Sequence, residues 1–247
     1  MEPAPIETFT YEQDLIGKIR FDPDPPNPRD DDNLGTMVCW HSRYRLGDDK
    51  PALATYEFFQ YLAEEADPTV AERIDYWCDG PGWRYLLTRY PEASPDNLYS
   101  RQALAAADKR KEEIITQAID QHFIILPLFL YDHSGLAIRT VPFSCPWDSG
   151  QVGWIFVPIA QVKKEFGWHR LTKERRRKIE QYLRDEVEQY DQYLSGQVFE
   201  FVLEDEDEQF LDACGGFYDE QYCRLMLQEA VENLLHHRAS NREPQPH

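Results

Sequence analysis

Residues 123–159 read FIILPLFLYDHSGLAIRTVPFSCPWDSGQVGWIFVPI, and this stretch decides the fold class. It contains three strand-like runs, 123–131, 136–141 and 151–159, each bounded by Gly or Pro or by a turn sequence. The first run is apolar on both faces, which is typical of a central strand. Pro127 cannot donate a hydrogen bond to a sheet ladder, so we predict a bulge or a sheet edge there.

Helical patterns and further strands flank this stretch. Ser100 is the predicted N-cap of a long helix that leads directly into residue 123, and Thr172 is the predicted cap of a second, which Gly196 ends. A strand at 35–41, a hairpin at 198–214 and a last helix around Cys223 complete the pattern. The prediction is α+β: a mainly antiparallel sheet with inserted long helices in a single domain. Helices separate some strands, so parallel pairing stays open.

Local composition predicts the domain boundaries. Residues 1–33 carry clustered Pro and Asp and are interpreted as an extended acidic and proline-rich segment. Residues 34–237 form the predicted single α+β domain, and residues 238–247 are a polar tail that we expect to be loose.

The formal net charge is -19, from 45 acidic and 26 basic residues. Such a surface repels nucleic acid and anionic membranes, so direct nucleic-acid binding is unfavourable and a basic protein partner is expected. The longest apolar run, Phe123–Leu130, is too short to span a membrane, and the N-terminus has no secretory pattern. We therefore expect a cytoplasmic protein.

Five cysteines without a CxxC pair predict reduced thiols. Cys39 and His41 share one face of a predicted strand, but two ligands do not make a zinc site. No glycine-rich phosphate loop is present, so neither a metal nor a cofactor is predicted.

The residues with the clearest chemical potential lie in the opening stretch. Asp132 and His133 follow one predicted strand, and Cys145 and Asp148 precede the next. If these strands are neighbours, a thiol, an imidazole and a carboxylate converge, as nucleophilic catalysis requires. The same residues are also ordinary turn formers, so the catalytic interpretation is the alternative one.

Two acidic loops and one basic segment are the most unusual charge features. The predicted partner-binding residues lie in both loops: Asp30, Asp31, Asp32, Glu204, Asp205, Glu206, Asp207 and Glu208. The basic patch lies at the start of the second long helix: Arg170, Lys173, Arg175, Arg176, Arg177 and Lys178. Cations oppose the dipole at a helix N-terminus, so we expect a partner for them within the protein, in a homodimer or in an acidic protein.

Several blocks together resemble a family of uncharacterised proteins of bacteriophages, plasmids and other mobile elements. They are DNLGTMVCWHSRYRLGD, LPLFLYDHSGLAI, FSCPWDSGQVGWIFV, VEQYDQYLSGQVFEFVLED and CGGFYD, and the likeness covers most of residues 32–218. The resemblance carries no functional residue over to this chain. It implies a context in which small acidic accessory proteins often antagonise host defence.

We therefore expect an acidic phage or mobile-element protein that binds and inhibits a nucleic-acid-handling host complex, of anti-restriction or anti-CRISPR type, with DNA mimicry as one mode. One alternative is a hydrolase that uses the Cys/His/Asp cluster. The other is a structural interaction module. We expect a binding protein rather than an enzyme.

Overall fold

The computed structural model describes residues 3–91, 99–145 and 147–240, apart from the side chain of Gln13. The architecture is α+β, as predicted, but the strands form two antiparallel sheets rather than one. Within the described residues the strands are β1 Glu7–Tyr11, β2 Leu15–Phe21, β3 Thr36–Cys39, β4 Phe123–Asp132, β5 Leu136–Arg139, β6 Ser149–Pro158, β7 Phe199–Glu204 and β8 Phe210–Phe217. The helices are α1 Thr55–Ala66, α2 Thr69–Cys78, α3 Pro81–Arg89, α4 Arg101–His122, α5 Ile159–Glu165, α6 Lys173–Leu194 and α7 Glu220–Ser240.

The predicted domain is built from two compact units that alternate along the chain. The first unit comprises residues 1–33, 129–151 and 184–247, and the second comprises residues 34–128 and 152–183. The first sheet has the strand order β1-β2-β7-β8, and the second sheet has the strand order β3-β6-β4-β5.

The first unit is organised by a sheet with α7 packed against it. Leu15 and Ile19 of β2 are fully buried and pack with Phe201 and Leu203 of β7 and with Leu227 of α7. Alternation along β2 turns Lys18 and Arg20 to the other face, where they pair with Glu204 and Glu200 of β7.

The interpretation of residues 1–33 as an extended segment outside the domain was wrong for 7–21. Those residues form β1, a 3-10 turn at Glu12–Asp14 and β2, and β2 pairs antiparallel with β7 from Ile16↔Glu204 to Phe21↔Phe199. The proline-rich remainder contains only a short 3-10 turn at Pro28–Asp30, capped by the Asn27 side chain. The other boundary also differs, because α7 continues to Ser240, and residues 241–247 of the predicted tail lie outside the described residues.

The second unit packs its helices against β3 and β6. Its core includes Phe58 of α1, Ile115 of α4 and Phe156 of β6. The predicted caps are confirmed: Ser100 Oγ accepts a hydrogen bond from Ala103 N, and Thr172 Oγ1 accepts one from Arg175 N. Pro127 lies inside β4, ahead of Phe129–Asp132, the residues that pair with β5.

Candidate functional site

The predicted chemical residues are placed by the turns between β4, β5 and β6 in the first unit. The β4–β5 turn is tight: His133 N donates to Gly135 O, and Ser134 adopts a positive φ of 54°. The chain then returns towards β4, where Asp132 N donates to Asp148 O at 2.9 Å. This backbone bond joins the two segments that carry the candidate side chains. We call the region 131–148 the β4–β6 tip.

Two of the predicted side chains, those of Cys145 and His133, converge on a third, the carboxylate of Asp148. Cys145 Sγ donates to Asp148 Oδ2 at 3.4 Å, and His133 Nδ1 lies 3.9 Å from Asp148 Oδ1. Asp132 contributes its backbone amide to this arrangement. The thiol and the imidazole thus approach opposite oxygens of the carboxylate, which has the central position.

The order of these groups limits their chemistry. In a cysteine hydrolase the imidazole stands between thiol and carboxylate, because it takes the thiol proton while the carboxylate orients it. Here Asp148 accepts from the thiol, and the imidazole contacts the opposite carboxylate oxygen. The side chain of His133 is 65% exposed and that of Asp148 is 37% exposed. The arrangement is that of a solvent-accessible polar cluster in which Cys145 is hydrogen-bonded to Asp148.

Aromatic residues also lie in the β4–β6 tip. Trp147 is 92% exposed, although a tryptophan side chain ordinarily buries most of its area. Phe143 packs against Tyr131, with ring centroids 5.5 Å apart, and the Arg139 guanidinium lies 4.0 Å from the Phe143 centroid. Sequence reasoning missed Trp147, because its exposure depends on the tertiary course of the loop.

Strand β5 of the tip is held by a residue that the sequence did not single out. Asp191 of α6 accepts a 2.6 Å hydrogen bond from Ile138 N through Oδ1. Burial raises the pKa of Asp191, while the bond from Ile138 and the charge of Arg139 act in the opposite direction. The carboxyl therefore anchors β5 from a neighbouring element of the same unit.

The two predicted acidic loops lie at opposite ends of the first sheet. Glu204 lies opposite Ile16 near the start of β2, and the loop that contains Asp30 follows Phe21 at its end. At the usual rise per residue, Ile16 and Phe21 are about 17 Å apart along the strand. Asp30, Asp31 and Asp32 are exposed beyond that second end. The sequence grouped these loops as one partner surface, whereas the structure separates them.

The acidic turn between β7 and β8 has a defined conformation. Asp205 Oδ1 accepts from Asp207 N and Gln209 N, and Glu208 takes a positive φ of 58°. Glu204 forms an ion pair with Lys18. Glu206, Asp207 and Glu208 remain as the exposed acidic residues of the turn.

The basic patch at the start of α6 finds partners inside the second unit. Arg176 donates to the backbone oxygens of Asp120 and Phe123 at the C-terminal end of α4, where carbonyl groups favour a cation. Arg175 donates to Arg170 O, and its guanidinium lies 4.7 Å from the Trp168 centroid. Four members remain exposed: Arg170, Lys173, Arg177 and Lys178. Half-buried Arg175 and Arg176 thus have a structural role.

Within residues 3–91, 99–145 and 147–240, no group of three or more His, Cys, Asp or Glu side chains is arranged to hold a metal ion. Cys39 is buried, and His41 Nδ1 accepts from the backbone amides of Arg43 and Tyr44. None of the helices in the described part of the chain combines the length and apolar character needed to cross a membrane.

Comparisons of the chain with protein-family models, with curated proteins and with solved structures find no match.

Proposed function

We propose that this chain is an acidic binding protein that occupies a basic surface of a nucleic-acid-handling host complex. Its contact surface is the end of the first sheet that carries the β1–β2 and β7–β8 turns. We call this surface the acidic end, and it is formed by Glu12, Asp14, Glu206, Asp207, Glu208 and Phe210.

Sheet register supports a continuous acidic end. Tyr11 pairs with Leu15 across the β1–β2 turn, and Ile16 pairs with Glu204 on β7, so both turns leave the same end of the sheet. The exposed carboxylates of Glu12 and Asp14 therefore extend the charge of the β7–β8 turn. Five carboxylates on two turns of one sheet give a field that steers a basic partner towards this end.

The observation that carries the proposal is Phe210. It is 68% exposed at the first position of β8, directly after the acidic turn. Interfaces commonly place an aromatic anchor inside a polar rim, and the anchor supplies most of the binding energy. An exposed phenylalanine beside a conformationally fixed acidic turn fits that pattern for a basic partner.

The context implied by the mobile-element resemblance suggests the class of partner. Restriction and CRISPR complexes bind DNA or RNA through basic surfaces. A compact acidic end can occupy such a surface in place of phosphates, which is inhibition by nucleic-acid mimicry.

The test compares two variants with the same change in net charge. E206Q/D207N/E208Q neutralises the acidic turn, and D30N/D31N/D32N neutralises the loop at the opposite end of the sheet. Tagged proteins capture partners from a prokaryotic lysate at low salt, a salt gradient elutes them, and mass spectrometry identifies them. The purified partner is then assayed for DNA or RNA cleavage with each variant.

We expect the wild type and the Asp30–Asp32 variant to bind and inhibit a nuclease, restriction or CRISPR component. The acidic-turn variant should lose that binding, and F210A should weaken it by roughly tenfold or more, as expected for an anchor residue. Equal behaviour of the two triple variants would contradict a localised acidic contact. Capture without inhibition of cleavage would contradict the inhibitor function.

A hydrolase remains the second candidate because Cys145, His133 and Asp148 converge. In such an enzyme Asp148 is the group within reach of the thiol proton. The test is alkylation of Cys145 by iodoacetamide, followed by mass spectrometry, in the wild type, D148N and H133N. A catalytic thiol should require both partners for rapid modification, whereas equal rates in all three proteins would exclude this candidate.

A further inference from the structure

A groove lined by aromatic and charged side chains lies in the second unit, between α2, α3 and α4. Gly82 near the start of α3 sits against the rings of Tyr76 and Trp77, which an added Cβ would approach to 2.7 Å. This close approach packs the start of α3 against two aromatic side chains of α2. The Arg110 guanidinium of α4 lies 5.3 Å from the Trp77 ring centroid. Trp77, Arg110 and Glu113 each line two cavities of this groove, which are therefore adjacent.

The first cavity offers aromatic surface with hydrogen-bonding groups. Its volume is about 480 Å³, within the usual range for small-molecule sites. Tyr76, 47% exposed, and Ile114 supply apolar surface. Gln117 and Arg73, which are hydrogen-bonded to each other, and the carboxylate of Glu72 supply polar groups. This combination suits a planar, nitrogen-containing aromatic group.

The second cavity carries the positive charge. It has a volume of about 430 Å³ and is lined by Arg89 and Lys109 as well as by Arg110. The acidic lining residue, Glu113, accepts a 2.8 Å hydrogen bond from Arg110. The charges of Arg89 and Lys109 therefore give this cavity a net positive lining, in a protein whose formal charge is -19.

We propose that this groove binds a free nucleotide, with the base in the first cavity and the phosphates in the second. Stacking on aromatic side chains recognises the face of a base, and guanidinium and ammonium groups recognise phosphate oxygens. The strongly negative overall charge opposes a long polyanion but opposes a single nucleotide much less. The small ligand is therefore preferred over single-stranded nucleic acid.

Isothermal titration of the full-length protein tests this site with four probes: ATP, adenosine, tripolyphosphate and a short single-stranded DNA. R89Q/K109Q removes the two phosphate-facing charges. R84Q is the single-charge control, because Arg84 is an exposed cation on α3 that lines neither cavity. Tryptophan fluorescence of the wild type and W77F locates the bound base, and near-ultraviolet circular dichroism confirms that each variant is folded.

We expect saturable binding of ATP, tighter than that of adenosine, tripolyphosphate or DNA. R89Q/K109Q should weaken it by tenfold or more, as expected for loss of charged hydrogen bonds, whereas R84Q should leave it unchanged. The fluorescence change on ATP addition should disappear in W77F.

Three results would overturn the proposal: no saturable ATP binding, equal losses in R84Q and R89Q/K109Q, or tripolyphosphate bound as tightly as ATP. Tighter binding of DNA than of ATP would overturn the assignment to a free nucleotide. None of these results depends on the acidic end, which lies in the other unit.

Discussion

Replacing Gly153 with alanine should strongly destabilise the second unit. Gly153 pairs with Cys39 across β3 and β6, and a Cβ there would lie 1.9 Å from Val38 O. The clashing atom is a backbone oxygen, so no side-chain rotation relieves the contact. The strands must separate by about 1 Å or more to reach a normal contact distance. The neighbouring bond from Trp40 N to Val152 O, now 2.8 Å, would lengthen with them.

The magnitude follows from these losses. Overpacking costs roughly 1–3 kcal/mol, and each weakened ladder bond adds up to about 1 kcal/mol. We expect the free energy of unfolding to fall by about 3 kcal/mol, which lowers the Tm by about 10 °C for a chain of this size. Thermal and urea denaturation followed by circular dichroism measure both quantities.

Gly150 provides the matched control within the same strand. An added Cβ at Gly150 meets nothing within 4 Å, so G150A should change the free energy of unfolding by no more than about 0.5 kcal/mol. If G153A and G150A differed by less than about 1 kcal/mol, the steric reasoning would be refuted.

Three further perturbations test local features. Because burial raises the pKa of Asp191, the folded state holds the proton more tightly than the unfolded state, and this contribution to stability is lost as the pH rises through the folded pKa. D191N preserves an acceptor for Ile138 N and should reduce this pH-dependent loss of stability, as urea denaturation at several pH values would measure. D191A leaves the amide of Ile138 without its acceptor and should lower the free energy of unfolding by about 1–2 kcal/mol at low pH. A stability profile of D191N identical to that of the wild type would contradict this. Burial raises the pKa of Cys223 to about 12. A thiol reagent at mildly alkaline pH should therefore modify exposed Cys214 first and reach Cys223 only on unfolding, as mass spectrometry would show. Equal modification rates of the two cysteines in the folded protein would be inconsistent with the burial of Cys223. S100A should lower the free energy of unfolding by about 1 kcal/mol through loss of the α4 cap, and no change on denaturation would argue against that cap.

The sequence correctly predicted those features whose hydrogen bonds join residues only a few positions apart in the chain. Ser100 and Thr172 cap α4 and α6 as expected, because a hydroxyl three residues before an amide suffices for the bond. Gly196 ends α6 with a φ of 70°, a conformation that glycine adopts without strain. The β7–β8 hairpin was equally predictable from alternation on both sides of an acidic turn.

Long-range pairing explains what the sequence interpretation missed. β2 pairs with β1 across a short turn and also with β7, which begins at Phe199. The apolar face of this hairpin is buried by β7 and α7, far along the chain, and its proline-rich continuation favoured an extended loop. The candidate site shows the same limit, because convergence of His133 and Cys145 on Asp148 follows from the return of the chain towards β4.

The α+β class, the caps and the negative charge are predictable from the amino-acid sequence, because they depend on periodicity, on neighbouring hydrogen bonds and on composition. Tertiary packing places the two acidic loops at opposite ends of a sheet and leaves Trp147 exposed. It also brought α2, α3 and α4 together around Trp77. These properties depend on which distant segments pack together, and that choice minimises exposed apolar area over the whole chain rather than within any single segment.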